Sequence, residues 1–177
     1  IAYLRMYFNL NKIDFDDLAY VYLLKNLFLN VPTKNYSTLE LVNEIKTYLG
    51  DLSFRIKIFN DKDNNCLSYL ALSSSSLIEN ISHMPQLVNE VMLNSKFPKK
   101  EIKQILSQLT TFLRQDIIEN GSQNASLMAK RATSYSANMI LNCVQGPILY
   151  QKLKEIETNF VYKDVVNKLK DVIKRLF

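Results

Sequence analysis

The first ten residues, IAYLRMYFNL, alternate between two faces with a period of two. One face carries Tyr3, Arg5 and Tyr7, and the other carries an apolar set made of Ala2, Leu4, Met6, Phe8 and Leu10. This alternation is typical of a half-buried β-strand. The strand needs a neighbour, because its backbone groups must be hydrogen bonded.

An almost continuous apolar run follows, FDDLAYVYLLKNLFLNV at residues 15–31. Asp14 is placed to cap a helix, and Asp16 and Asp17 suit the positive end of its dipole. A helix that is apolar on every side is buried on every side. We therefore expect a helix here whose outer face is covered by a partner.

Residues 35–54, NYSTLELVNEIKTYLGDLSF, predict a turn, a capped helix and the start of a strand. Ser37 with Glu40 three residues later forms a capping box. The predicted buried face of the helix consists of Leu39, Val42, Ile45 and Leu49. Gly50 is predicted to take the left-handed conformation that ends the helix. Alternation then resumes on both sides of NDKDNN, which predicts an antiparallel hairpin over residues 52–73.

The remaining sequence is predicted to be helical. Ser76 with Glu79 predicts a second capping box, and Pro85 either kinks the next helix or lies in its first turn. Pro98 opens a long helix that ends near Gly121, with a predicted stripe of Ile102, Ile105, Leu109, Phe112 and Leu113. A short helix of small residues follows, Gly146 and Pro147 separate two helices, and an amphipathic helix runs from about residue 162 onwards.

These elements predict an α+β fold with an antiparallel sheet covered by helices. Three glycines and four prolines in 177 residues agree with long helices rather than a turn-rich β-sandwich. Only three strands are evident, whereas a typical sheet has about five or six. We expect one domain over 1–177, with a mixed part at 1–94 and a helical tail at 95–177.

Composition excludes several functions. The net charge of +5 is spread along the chain, and the most basic run, YKDVVNKLKDVIKRLF, contains two aspartates. Nucleic-acid binding favours a clustered basic stripe, so we expect no nucleic-acid partner. No stretch reaches the roughly 20 apolar residues that a membrane helix needs. Two distant cysteines, Cys66 and Cys143, make neither a disulfide scaffold nor a zinc knuckle.

Candidate reactive residues are few. His83 is the only histidine, so the chain cannot supply a common zinc ligand set. The serines at 73–76 lack a nucleophile motif and are better explained as a strand-to-helix connection. Asp14, Asp16 and Asp17 lack the glycine and distal glutamate of a calcium loop. Arg131 lies among small residues, where it either pairs with a buried carboxylate or contacts a peptide.

Four segments carry a family resemblance: IAYLRMYFNL, then residues 33–59 (TKNYSTLELVNEIKTYLGDLSFRIKIF), then LALSSSSLIEN and the helical passage at 115–156. In this order they resemble the insulinase or pitrilysin family of zinc metallopeptidases. The match is to the associated domain of its presequence-protease branch. The residues that match the family pattern are Asn35, Tyr36, Gly50, Arg131 and Gly146.

The resemblance implies a larger enzyme whose homologous α+β domains close into a chamber around unfolded peptides. In the family, zinc is held by an inverted H-x-x-E-H motif on a helix. The corresponding helix here, at residues 15–31, contains neither His nor Glu. We therefore expect no catalytic residue, no metal ligand and no cofactor in this chain, with zinc bound elsewhere in the parent enzyme.

The five family-matching residues are expected to be structural. The expected partners are the other domains of the peptidase and an unfolded peptide substrate, in the cytoplasm or an organelle matrix. A domain of this family has more than three strands, so neighbouring sequence or a partner chain is expected to supply the others. The alternative is a self-standing interaction domain, homodimeric through the sheet edge or the apolar helix at 15–31.

Overall fold

The sheet of this protein has three antiparallel strands, as the sequence predicts. The computed structural model describes residues 1–63 and 65–177. The strands are β1 (Ala2–Asn9), β2 (Asp51–Asn60) and β3 (Cys66–Ser76). Their spatial order is β1-β3-β2, so the predicted hairpin of β2 and β3 is confirmed and β1 pairs with the other edge of β3.

Helices make up the second layer. In the part of the chain that the structure describes, the helices are α1 (Leu18–Leu27), α2 (Thr38–Tyr48), α3 (His83–Asn94), α4 (Lys99–Glu119), α5 (Gly121–Lys130), α6 (Tyr135–Cys143), α7 (Pro147–Thr158) and α8 (Tyr162–Leu176). Short 3₁₀ turns lie at 10–12, 15–17 and 78–80. None of the described helices combines the length and the apolar character required to cross a lipid bilayer. The predicted α+β class is therefore confirmed.

Helix α1 is the centre of the core. Most of its side chains are buried, namely Leu18, Ala19, Val21, Tyr22, Leu23, Leu24 and Leu27. It contacts α4, α6, α7, α8 and β2, so the chain's own elements surround it. The expectation that a partner covers its outer face is wrong, because the helical tail folds back over that face.

The ends of α1 differ from the sequence prediction. Residues Phe15–Asp17 form a 3₁₀ turn, and the Asp14 side chain makes no capping hydrogen bond. After the helix, Leu29 adopts a left-handed conformation with a φ of 70°, which no glycine in the sequence signals. A non-glycine residue in this region carries strain of about 1 kcal/mol or more.

Helix α2 confirms the predicted capping box. The Ser37 hydroxyl accepts from the Glu40 backbone N–H at 3.3 Å, and the Glu40 carboxylate accepts from the Ser37 N–H at 2.8 Å. The predicted buried face is partly wrong, because Leu39 is 72% exposed and Leu41 is fully buried.

Gly50 does not adopt the predicted left-handed conformation, which among the described glycines belongs to Gly146. Instead, its N–H donates to the Ser75 carbonyl at 2.8 Å. A Cβ at Gly50 would lie 3.0 Å from the Ser75 hydroxyl, so a glycine allows this close approach to β3.

The second predicted capping box is wrong. Ser76 is the last residue of β3, where it pairs with Ala2, and its buried hydroxyl has no hydrogen-bond partner among the described residues. Strand pairing therefore overrides the local capping signal at this position. Pro85 lies in the first turn of α3, which is one of the two predicted placements.

The long helix α4 begins after Pro98 and ends at Glu119, close to the predicted limits. Its buried face includes Leu106 and Thr110, whereas Phe112 is 61% exposed, so the predicted stripe is displaced around the helix. The small-residue segment that follows forms two helices, α5 and α6, rather than one.

The residue before α7, Gly146, has a φ of 95°, and Pro147 is the first helical residue, as predicted. The predicted amphipathic helix at the end of the sequence is α8. It buries Val165, Leu169, Val172 and Leu176 at spacings of three and four residues.

A buried carboxylate joins α8 to the N-terminal segment. Asp17 accepts from the Lys168 ammonium at 2.7 Å and from the Arg175 guanidinium, which also contacts Asp14 and Asp171. Burial alone would raise the pKa of Asp17, but the hydrogen bonds from Lys168 and Arg175 outweigh it and lower that pKa. The cluster therefore stabilises the fold while Asp17 is ionised.

We expect Asp17→Asn to lower the free energy of unfolding by about 2–3 kcal/mol at neutral pH, because two cations lose their charged acceptor. The pKa of Asp17 in the folded state lies below its ordinary value of 3.8. The stabilisation is therefore present above that value and is lost as the pH falls through the folded-state pKa. Urea unfolding at neutral and acidic pH should show a difference between wild type and variant that shrinks in acid.

Asp16→Asn is the matched control. The Asp16 carboxylate is solvent-exposed and lies 3.5 Å from Lys152, so its loss should change the free energy of unfolding by less than about 1 kcal/mol. Equal losses in the two variants, or a loss in Asp17→Asn that does not change with pH, would contradict the role given to Asp17.

Candidate functional site

The candidate site is the outer face of the sheet, which points away from the helices. The register places side chains of this face in rows across β1, β3 and β2: Tyr3, Ser75 and Asp51; Arg5, Ser73 and Ser53; Tyr7, Ala71 and Arg55; Asn9, Tyr69 and Lys57. The central strand supplies mainly small residues, and the outer strands supply the longer ones. The result is an open depression of about 390 Å³ along the middle of the sheet.

Positive charge predominates on this outer face. Arg5, Arg55 and Lys57 are exposed and form no ion pair with any described residue. The Asp51 carboxylate accepts a hydrogen bond from the Ser53 hydroxyl at 3.1 Å. The face therefore presents cations and hydroxyl donors to whatever enters the depression.

Aromatic rings lie beside the depression. The Tyr7 and Tyr69 rings meet edge to face with centroids 5.9 Å apart, and the Phe59 ring stacks on Tyr69 at the same distance. Tyr7 and Phe59 are about half exposed. The three rings form an apolar strip across the sheet that can contact apolar side chains.

The candidate nucleophiles do not form a catalytic arrangement. The Ser74 hydroxyl donates to the Asp51 carbonyl at 2.9 Å, and Ser76 is buried at the end of the strand. The ring of His83 stacks on Tyr48 with centroids 3.9 Å apart, and it makes no hydrogen bond to another described side chain. Without a base beside a hydroxyl, these serines are not activated.

Neither cysteine is an activated thiol. Burial raises the pKa of Cys143 to about 12, and its thiol donates to the Met139 carbonyl at 3.0 Å. Burial also raises the pKa of Cys66. Nucleophilic cysteines require a lowered pKa, so both thiols suit packing rather than reaction.

The acidic residues near the start of the chain are also committed to structure. Asp14, Asp16 and Asp17 face Arg175, Lys152 and Lys168. Within residues 1–63 and 65–177, no group of three or more His, Cys, Asp or Glu side chains could hold a metal ion. The residues present therefore do not fit the zinc site of a metallopeptidase.

Asn35 and Tyr36 belong to a loop that is fastened to α3. The Asn35 backbone N–H and side-chain amide donate to the two Glu90 carboxylate oxygens at 3.0 and 2.9 Å. Tyr36 exchanges hydrogen bonds with Thr33, and Asn94 donates to Glu90 at 2.7 Å. Burial would raise the pKa of Glu90, but the hydrogen bonds from Thr33, Asn94 and Asn35 lower it.

The other family-matching residues have different surroundings. A Cβ at Gly146 would lie 2.8 Å from the Leu141 Cδ2 atom and 3.1 Å from the Asn124 Oδ1 atom. Arg131 is exposed, and its Nε donates to the Asn138 side chain at 3.2 Å. The expected alternative in which Arg131 pairs with a buried carboxylate is wrong, since its described partner is an amide. The structure therefore does not gather the five residues into one site.

Sequence reasoning placed Arg5, Arg55 and Lys57 on outward faces but did not bring them together. The missing information was the strand order, because β1 and β2 flank β3 only in the folded sheet. A usable signal was the matching alternation in IAYLRMYFNL and LSFRIKIF, in which cations occupy the outward positions of both strands.

Curated relatives support the resemblance. The chain is 26% identical over 168 residues to a Borreliella burgdorferi protein described as uncharacterized, with 93% of the chain covered. It is 29% identical over 141 residues to Protein HypA of Clostridium perfringens, with 78% of the chain covered. The chain spans only 17% and 14% of these relatives' lengths.

A solved structure supports the fold. It is the peptidase M16 inactive domain from Pseudomonas fluorescens, which is similar to this chain with a TM-score of 0.55 and 16% identity over 98% of this chain and 45% of that one. The family model for the associated domain of peptidase family M16, subgroup C, matches residues 1–156. This chain therefore belongs to the family of peptidase M16 associated domains of subgroup C.

Proposed function

We propose that the chain is a non-catalytic domain that forms part of the chamber wall of a zinc-dependent oligopeptidase acting on unfolded peptides. The observation that carries this proposal is the combination of the associated-domain fold with an open, polar sheet face. Zinc and the residues that activate water would lie elsewhere in the parent enzyme. The chain would contribute packing and a binding surface.

Two features support a wall rather than a catalytic role. The helices are gathered on one face of the sheet, so the other face is free to line a shared space. The described side chains that could react are already engaged in packing, ion pairs or backbone hydrogen bonds. A wall needs shape and charge but no activated group.

The purified chain should not cleave unfolded peptides, with or without added zinc, because its residues do not fit a metal site. The full-length protein that contains it should cleave the same peptides and lose this activity with a zinc chelator. Mass spectrometry of the peptide products measures both results. A chelator-sensitive activity that follows the purified chain through successive columns would contradict the proposal.

The family-matching residues Asn35, Tyr36, Gly50 and Gly146 are proposed to be structural. Gly146→Ala should lower the free energy of unfolding by about 1–3 kcal/mol, because the backbone is left-handed and the new Cβ meets Leu141. Asn35→Ala should lower it by about 1–2 kcal/mol, because Glu90 loses one donor. Arg131→Ala, at an exposed position, should change it by less than about 0.5 kcal/mol. Urea unfolding curves compare the three, and a reversed order would contradict these roles.

The alternative is a self-standing domain that forms homodimers. One observation favours it, since within the described residues the outer edges of β1 and β2 have no strand partner. The other surface considered for dimerisation, α1, is already buried inside the chain. Sedimentation velocity over a range of concentrations should give a monomer. A mass that doubles as the concentration rises would favour the alternative.

A further inference from the structure

We propose that the outer face of the sheet binds an acidic segment of an unfolded peptide in an extended conformation. The inference rests on the proposed function, because it assigns a substrate class to the wall surface. It names the depression bounded by Arg5, Arg55 and Lys57 as the place where this segment binds.

The depression has the width of a single extended chain. Neighbouring strands in a sheet lie about 4.8 Å apart, so the flanking strands β1 and β2 are about 10 Å from each other. Between them, β3 presents Ser73, Ser75 and Ala71 to the depression. These small side chains keep the floor low, and the hydroxyls of the two serines can bond to a peptide.

Charge complementarity selects an acidic occupant. Arg5 and Arg55 lie on opposite rims, and Lys57 is two residues beyond Arg55 on the same strand. Three cations face the depression against one carboxylate, Asp51. Guanidinium groups bind carboxylates through two parallel hydrogen bonds, and these two have no carboxylate partner among the described residues.

The neighbouring rings add a preference for apolar side chains. Tyr7, Tyr69 and Phe59 lie beside the cations, so an apolar residue next to the acidic ones would pack on them. Aromatic rings of this kind are common contacts at binding surfaces.

A folded partner domain fits the face less well than a peptide does. The buried centre of a protein–protein interface is depleted in charged residues. Here the centre is a shallow, serine-lined depression rimmed by charges, and its volume of about 390 Å³ suits a few residues. An extended peptide can fill this space without burying the cations unpaired.

The test uses three unstructured peptides of equal length with one phenylalanine each and otherwise acidic, neutral amide or basic side chains. Binding to the 177-residue chain is followed by fluorescence anisotropy at low and physiological salt. The acidic peptide should bind most tightly. The triple variant Arg5→Glu, Arg55→Glu, Lys57→Glu should weaken its binding by about tenfold, because several exposed ion pairs are each worth a few tenths to one kcal/mol.

A matched control separates local from overall charge. The variant Lys99→Glu, Lys100→Glu, Lys163→Glu makes the same change in net charge at exposed residues of the helical layer, where no described ion pair is broken. It should retain binding of the acidic peptide within about twofold. The sheet-face variant should instead prefer the basic peptide, a gain that an unfolded protein cannot show. Replacing the three cations by Gln should remove the preference without reversing it.

The possible failures are distinct. Equal binding of the acidic and neutral peptides, unchanged by the sheet-face variant, would overturn the inference and leave the proposed wall function standing. Binding of no peptide, with binding of an acidic folded domain of the same full-length protein, would overturn it in favour of an interdomain contact. Metal-dependent cleavage by the chain itself would instead contradict the proposed function.

Discussion

The structure depends on burying a helix that is apolar on every side. A single sheet can cover only one side of α1, so the remaining sides must be covered by something else. The chain meets this requirement internally, because α4, α6, α7 and α8 fold back around the helix. With the helices occupied on that side, the opposite face of the sheet is left open. The core requirement and the open binding face are therefore two results of the same arrangement.

Electrostatics fix the closing contact of this arrangement. Asp17 lies at the start of α1, and its cationic partners Lys168 and Arg175 lie on α8, the helix that completes the enclosure. Beside it, Phe177 packs against Phe8 of β1 and Phe28 after α1. Charge and apolar packing thus meet where the first and last elements join. The site on the outer sheet face lies on the other side of the sheet, so its cations remain available for a ligand.

The features predicted correctly from sequence are those fixed by neighbouring residues. The capping box of Ser37 and Glu40 and the helix break at Gly146 need only local geometry. The features predicted wrongly depend on distant contacts: Leu39 and Phe112 repeat with helical spacing, but tertiary packing decides which side of a helix is buried. Ser76 has a capping sequence, yet pairing with β1 retains it in a strand. The candidate site escaped prediction for the same reason, since its cations come from strands that become neighbours only through β3.

The join between Asp17 and α8 also has a consequence for synthesis of the chain. Asp17 and Arg175 are separated by 158 positions, so their contact forms only after nearly the whole segment has left the ribosome. Until then, the apolar surface of α1 lacks one of its covering helices and stays accessible to chaperones. Long-range contacts of this kind slow folding, because distant residues must meet before they are stabilised. The final helix thus acts as a temporal latch on the nascent polypeptide.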